Sequence, residues 1–206
     1  MASMVRRSVL SSLSLFLLLT ACAQKEPEAD LPSLVAALKR PDEIGRGRAT
    51  TTLVTLGERA VPAIVPLLSD PEPSIRRVAV ATLWGMGAHA RAAVPQLVNA
   101  LSDEDSAVRG SAVMALQAIG TEATEAVPAL TRALRDRDDN VRLWAVKALG
   151  SMGPAAAAAL PTLERMVKND YLGPSVAEAI RQIRADQSVA AARARERQDH
   201  RRLGVR

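Results

Sequence analysis

The chain has 206 residues, 48% hydrophobic and only 2% aromatic, with a formal charge of +5 from 27 Lys and Arg against 22 Asp and Glu. Its single cysteine excludes an intramolecular disulfide, and its two histidines, His89 and His200, supply too few ligands for a zinc cluster. Six arginines near the C-terminus (193, 195, 197, 201, 202 and 206) outweigh Glu196 and Asp199, so residues 22–186 are close to neutral and offer no uniformly basic surface for nucleic acid.

Residues 1–21 read as a targeting segment. Arg6 and Arg7 form a cationic flank, and 9–19 is an apolar stretch broken only by serines. That run is about a dozen residues, short of the roughly 18 needed to span a bilayer. The sequence Leu19-Thr20-Ala21-Cys22 follows. It resembles the lipobox of bacterial lipoproteins. The resemblance implies cleavage before Cys22, a diacylglycerol thioether on its sulfur and acylation of the new amine. Several acyl chains on one residue hold a protein to a membrane far better than one. Ala23 after the cysteine implies, in an organism with an outer membrane, a lipid-anchored protein on the periplasmic face of that membrane. Residues 22–30, with Glu26, Pro27 and Glu28, lack apolar periodicity and read as a polar tether.

From residue 31 the chain repeats. Val61-Pro62, Val94-Pro95, Val127-Pro128 and Leu160-Pro161 recur at a fixed interval of 33 residues. Such a period is the mark of stacked supersecondary units. The units are 31–60, 61–93, 94–126, 127–159 and 160–186. The first is three residues short, and the fifth loses register around Tyr171-Leu172-Gly173-Pro174. Each unit predicts two helices. The first carries the Val-Pro pair. Either it starts there, with proline in the first turn where its missing N–H has no partner, or it starts in the Ala-rich stretch before and is kinked. The second has a core face at Ile75, Ala79, Leu83 and Met86, matched by Val108, Ala112, Leu116, Ile119 and by Val141, Ala145, Leu149, Met152. Gly57, Gly87, Gly120 and Gly153 should end these helices in the left-handed conformation.

The pattern Val94-Pro95-Gln96-Leu97, Leu101-Ser102-Asp103, Val108-Arg109, Ala112, Ala115-Leu116, Ile119-Gly120 is similar to the short HEAT-like repeat of the phycobilisome-lyase type. The resemblance implies an all-α, right-handed α-solenoid of about five helix-turn-helix repeats. It also implies that Asp70–Arg76, Asp103–Arg109 and Asp136–Arg142, each spaced by six, form a structural ladder. Arg46 continues the arginine row, and Gly173 stands in its place in the fifth unit, so the ladder should end there.

Opposite the core face of the second helices lie Arg77, Ala81 and Trp84, then Gly110, Met114 and Gln117, then Leu143, Lys147 and Gly150, with Trp144 at the edge. In solenoids of this kind that face is concave. Arg77, Trp84, Met114, Gln117, Leu143, Trp144 and Lys147 are the candidate protein-binding residues, since Trp and Arg are common interface anchors. The competing reading is that these side chains fold over the next repeat as an extension of the core. No His/Glu or His/Asp pair recurs at ligand spacing, so no catalytic residue, metal site or cofactor is expected. A lyase-type enzyme or accessory subunit is the alternative the resemblance leaves open. Residues 187–206 are rich in Ala and Arg, either a frayed end or a helical contact for anionic lipid or cell-wall polymer.

Overall fold

The computed structural model describes residues 30–168 and 172–185. Residues 1–29, which include Cys22, and the tail from 186 lie outside them. The described chain is a two-layer stack of helix pairs: α1 (Leu31–Leu38) with α2 (Glu43–Leu56), α3 (Val61–Ile64) with α4 (Pro73–Met86), α5 (Val94–Ala100) with α6 (Ser106–Ile119), α7 (Val127–Ala133) with α8 (Asp139–Ser151), and α9 (Leu160–Met166) with α10 (173–185). Among the described residues there is no strand. The second helices pack in series, α2 on α4, α4 on α6 and α6 on α8. The fold is an α-solenoid of four to five repeats.

Each first helix begins at its Val-Pro or Leu-Pro pair, and the stretch before α3, α5, α7 and α9 is a 3₁₀ helix: Gly57–Ala60, Gly87–Ala93, Gly120–Ala126 and Gly153–Ala159. The buried residues there explain why. Ala90 and Ala93, Ala123 and Ala126, Ala156 and Ala159 are fully buried at a spacing of three, the period at which 3₁₀ side chains eclipse. Proline then occupies the first α-helical turn, where no donor is needed. In the second unit the α-helix lasts only four residues and passes into a further 3₁₀ turn, Val65–Ser69. Pro66 accounts for this, because it cannot donate back to the preceding turn.

The four repeat glycines have φ of 57°, 55°, 74° and 57°. Their ψ, near −135° where Gly57, Gly87 and Gly120 cap a helix, differs from the left-handed helical value expected. This is a region that essentially only glycine enters. Each of these glycines is also the first residue of the 3₁₀ segment that follows.

The core is aliphatic and runs the length of the stack. Of the core face assigned to α4, α6 and α8, every residue is buried except Ile75, which is half-buried against the core. The second helices are also buried laterally, at Val80 and Thr82, Val113 and Ala115, Val146 and Ala148. The stretch Glu43–Ser69 is long and apolar enough to cross a membrane by length and composition. Gly57 breaks it at φ 57°, and Leu53, Ile64 and Leu67 are buried in the core.

Candidate functional site

The turns between paired helices are built from one reused constellation. Arg76 donates from Nε and Nη2 to both carboxylate oxygens of Asp103, at 2.8 and 2.9 Å, and from Nη1 to the carbonyls of Asp70 and Pro71. Arg109 does the same to Asp136, at 2.8 and 2.9 Å, and to the carbonyls of Asp103 and Glu104. The spacing-of-six pair is therefore not a side-chain pair. Each arginine holds the backbone of its own turn and the carboxylate of the next unit, a bidentate geometry its planar fork suits. Each of those carboxylates also accepts a turn N–H, Asp103 from Asp105 and Asp136 from Asp138. Partial burial works against ionisation of Asp103 and Asp136. The Arg76 and Arg109 bonds and the turn N–H groups outweigh it and hold both carboxyls below the usual carboxylate range.

The ladder differs from expectation at its first rung. Arg46 donates to the Pro41 carbonyl, but Asp70 is reached by Lys39, at 2.8 Å. The partner at this rung is thus Lys39, just beyond the end of α1, in place of an arginine of α2. Arg142 holds the Asp136 carbonyl and pairs with Asp139 beside it.

The seven candidate binding residues all lie on the second helices, but in different settings. Arg77 is exposed, and Trp84, two turns later on α4, is 50% exposed. Met114 and Gln117 are half-buried on α6. Leu143 and Trp144 are half-buried and pack against the core, so core extension describes much of their surface. Lys147 is exposed, its Nζ 4.8 Å from the centroid of the Trp144 ring, a cation–π contact. Gly110 and Gly150, assigned to the open face with them, are buried. A Cβ at Gly150 would lie 3.0 Å from Ala179 Cα, so α10 packs directly on that glycine.

Two grooves collect four of the seven. Met114 and Trp144 line one of about 300 Å³ with Gly110, Ser111, Asp138 and Asn140. Gln117 and Lys147 line another of about 580 Å³, where α10 adds Ser175, Glu178, Arg181 and Gln182. Arg77, Trp84 and Leu143 line neither. The α10 residues escaped the sequence reading because the register breaks just before them. Glu178 is engaged by Arg181 and Gln182, which leaves Lys147 as the cation of that groove without a carboxylate partner among the described residues. Among the described residues, no three His, Cys, Asp or Glu side chains cluster as metal ligands would.

A family model described as HEAT repeats matches residues 61–124 and 94–184. Among solved structures, the complex of CpcE and CpcF of phycocyanin lyase from Nostoc sp. PCC7120 is similar at 21% identity and a TM-score of 0.62, over 74% of this chain and 96% of that one. Computationally designed armadillo repeat proteins for modular peptide recognition are similar at 22% identity and a TM-score of 0.57, over 74% of this chain and 81% of theirs. An engineered protein matches at 22% identity and a TM-score of 0.58, over 75% and 79%. No curated protein matches the chain. At these identities the likeness is one of fold.

Proposed function

The chain belongs to the HEAT-repeat family, and on that premise we propose a membrane-anchored scaffold of the bacterial cell envelope that binds a protein partner on its concave second-helix face. A HEAT-repeat solenoid is compatible with protein binding. The observation that carries the finer reading is Trp84, a large apolar side chain half-open to solvent beside exposed Arg77 and Ala81. An exposed tryptophan keeps a large apolar surface in water without gaining packing, and tryptophan is among the side chains enriched at interface hot spots. The anchor rests on the lipobox resemblance at Cys22, and the periplasmic face of an outer membrane is its setting where the organism has one. A lyase-type enzyme or accessory subunit draws support from fold likeness alone.

Two substitutions test the halves separately. Cys22→Ser should move the protein from membranes washed in high salt to the soluble fraction, since salt screens any charge attraction and leaves an acyl anchor in place; persistence of the variant in the washed membranes would overturn the anchor. Trp84→Ala should reduce partner capture by in-cell cross-linking at least tenfold, as loss of an interface anchor does, with unchanged melting. An unaltered cross-linking profile would overturn the binding face.

A further inference from the structure

The opposite face of the stack, formed by the first helices, is uncharged in the middle repeats and cationic in the last two. Arg132 and Arg135 stand on α7 and just beyond its end, and Arg165 and Lys168 take the same places one period later on and after α9. All four are exposed. The equivalents in earlier units are Pro66 and Ser69, then Asn99 and Ser102, so the repeat itself does not require charge there.

Nothing in the described chain neutralises these cations. None makes an ion pair among the described residues. Arg165 donates only to neutral groups, the Pro161 carbonyl and the Thr162 hydroxyl. Glu164 is engaged by Arg184, Glu104 by Arg76, Asp139 by Arg142, and Asp138 by the amides of Asn140 and Val141 at the start of α8, while Glu122 and Glu125 stand exposed on the 3₁₀ segment at the far end of α7 from Arg132 and Arg135. Like charges one turn apart repel, and no interaction within the repeats offsets it.

We propose that this four-cation face lies against an anionic phospholipid surface, so that the solenoid rests first-helix side down and presents its second-helix face away from the membrane. The proposal takes its setting from the anchored reading above. A basic side chain close to an anionic leaflet contributes about 1 kcal/mol, or roughly fivefold in affinity. Four of them together contribute on the order of several hundredfold. The attraction acts within a Debye length and fades with salt.

The test uses the full chain carrying Cys22→Ser, so that no acyl chain contributes, titrated with vesicles of phosphatidylglycerol and phosphatidylcholine and with phosphatidylcholine alone. The variant Arg132→Gln, Arg135→Gln, Arg165→Gln, Lys168→Gln keeps the same N-terminal segment and tail, so the ratio of the two affinities reads this face alone. A several-hundredfold ratio on the anionic vesicles in low salt, collapsing on neutral ones, is expected. A ratio within threefold overturns the proposal. Asn99→Arg with Ser102→Arg extends the row into the third repeat and, at roughly fivefold per residue, should tighten binding about twenty-fivefold. No gain would also overturn it, whatever the fate of the four-site variant. Tighter binding to soluble polyphosphate than to the vesicles would make the face a polyanion site and overturn the lipid assignment. Because Cys22 is absent from the assay, failure here leaves the anchor standing, and failure of the anchor in cells leaves this result standing.

Discussion

Removing the guanidinium of Arg109 should separate the third and fourth repeats. Arg109 is 4% exposed and spends its donors on two carboxylate oxygens of Asp136 and two carbonyls of its own turn, at 2.8 to 3.1 Å. Arg109→Ala leaves a largely buried carboxylate with only the Asp138 N–H, and takes the side-chain donor from the Asp103 carbonyl, while the Glu104 carbonyl keeps that of Arg137. Breaking one partner out of a buried pair costs about 3–5 kcal/mol. Asp136 keeps some access to water, its side chain being 10% exposed, so the lower end of about 3 kcal/mol applies. At about 2–4 °C per kcal/mol for a domain of this size, Tm should fall by about 6–12 °C. Urea unfolding of Arg109→Ala, Asp136→Ala and the double variant should give a coupling of about 2 kcal/mol. The same cycle with Asp103, six residues before Arg109, should give a clearly smaller coupling, about 0.5 kcal/mol, because Arg109 hydrogen-bonds only its backbone oxygen and meets its carboxylate through space alone. A larger coupling to Asp103 than to Asp136 would refute the between-repeat pairing.

Two further perturbations exploit the same geometry. Gly110→Ala should stabilise by about 0.5–1 kcal/mol, since its Cβ would lie an ordinary 3.9 Å from Val141 in a helix interior. Gly150→Ala should destabilise by about 1–3 kcal/mol and lower amide protection in α10, because Ala179 backbone would have to move; equal signs for the two in denaturant titrations would contradict the packing of α10. Stability should also fall in acid. Asp103 and Asp136 have folded-state values below the unfolded value of about 3.9. The unfolded chain therefore takes up protons first as pH drops, and the contribution, full at neutral pH, is lost from about pH 5 downward. Melting curves from pH 7 to pH 3 should be flatter for Asp136→Asn, and an unchanged slope would show that this rung does not carry the effect.

The fold was legible because the repeat writes it several times over. The 33-residue interval gave a stacked all-α architecture, and the apolar faces of α4, α6 and α8 proved correct at every position but Ile75. What remained hidden depends on the neighbour rather than the unit. Arg76 and Asp70 are close in sequence, yet the carboxylate Arg76 grips is Asp103, placed by the translation between repeats. A helical wheel has two sides, inside and outside. A second helix in a solenoid is covered on three, so Gly110 and Gly150 were assigned to an open face that α8 and α10 close. The ψ of the repeat glycines was equally beyond reach, since positive φ alone serves several turns. Of the candidate surface, the exposure of Trp84 and Lys147 and the partial burial of Leu143 and Trp144 follow from which helix each faces, a matter the sequence leaves open.

The forward reach of the ladder makes length an independent variable. Every interior rung joins an arginine to the aspartate one unit ahead by the same atoms. Excising 94–126 would bring Arg76 opposite Asp136, and duplicating that segment would insert a rung that matches on both sides. Either change leaves the ladder's own atoms matched, while the helix faces on each side of the seam meet new neighbours. A lineage carrying such a chain can lengthen or shorten its surface in one genetic step, and the ladder passes over the seam.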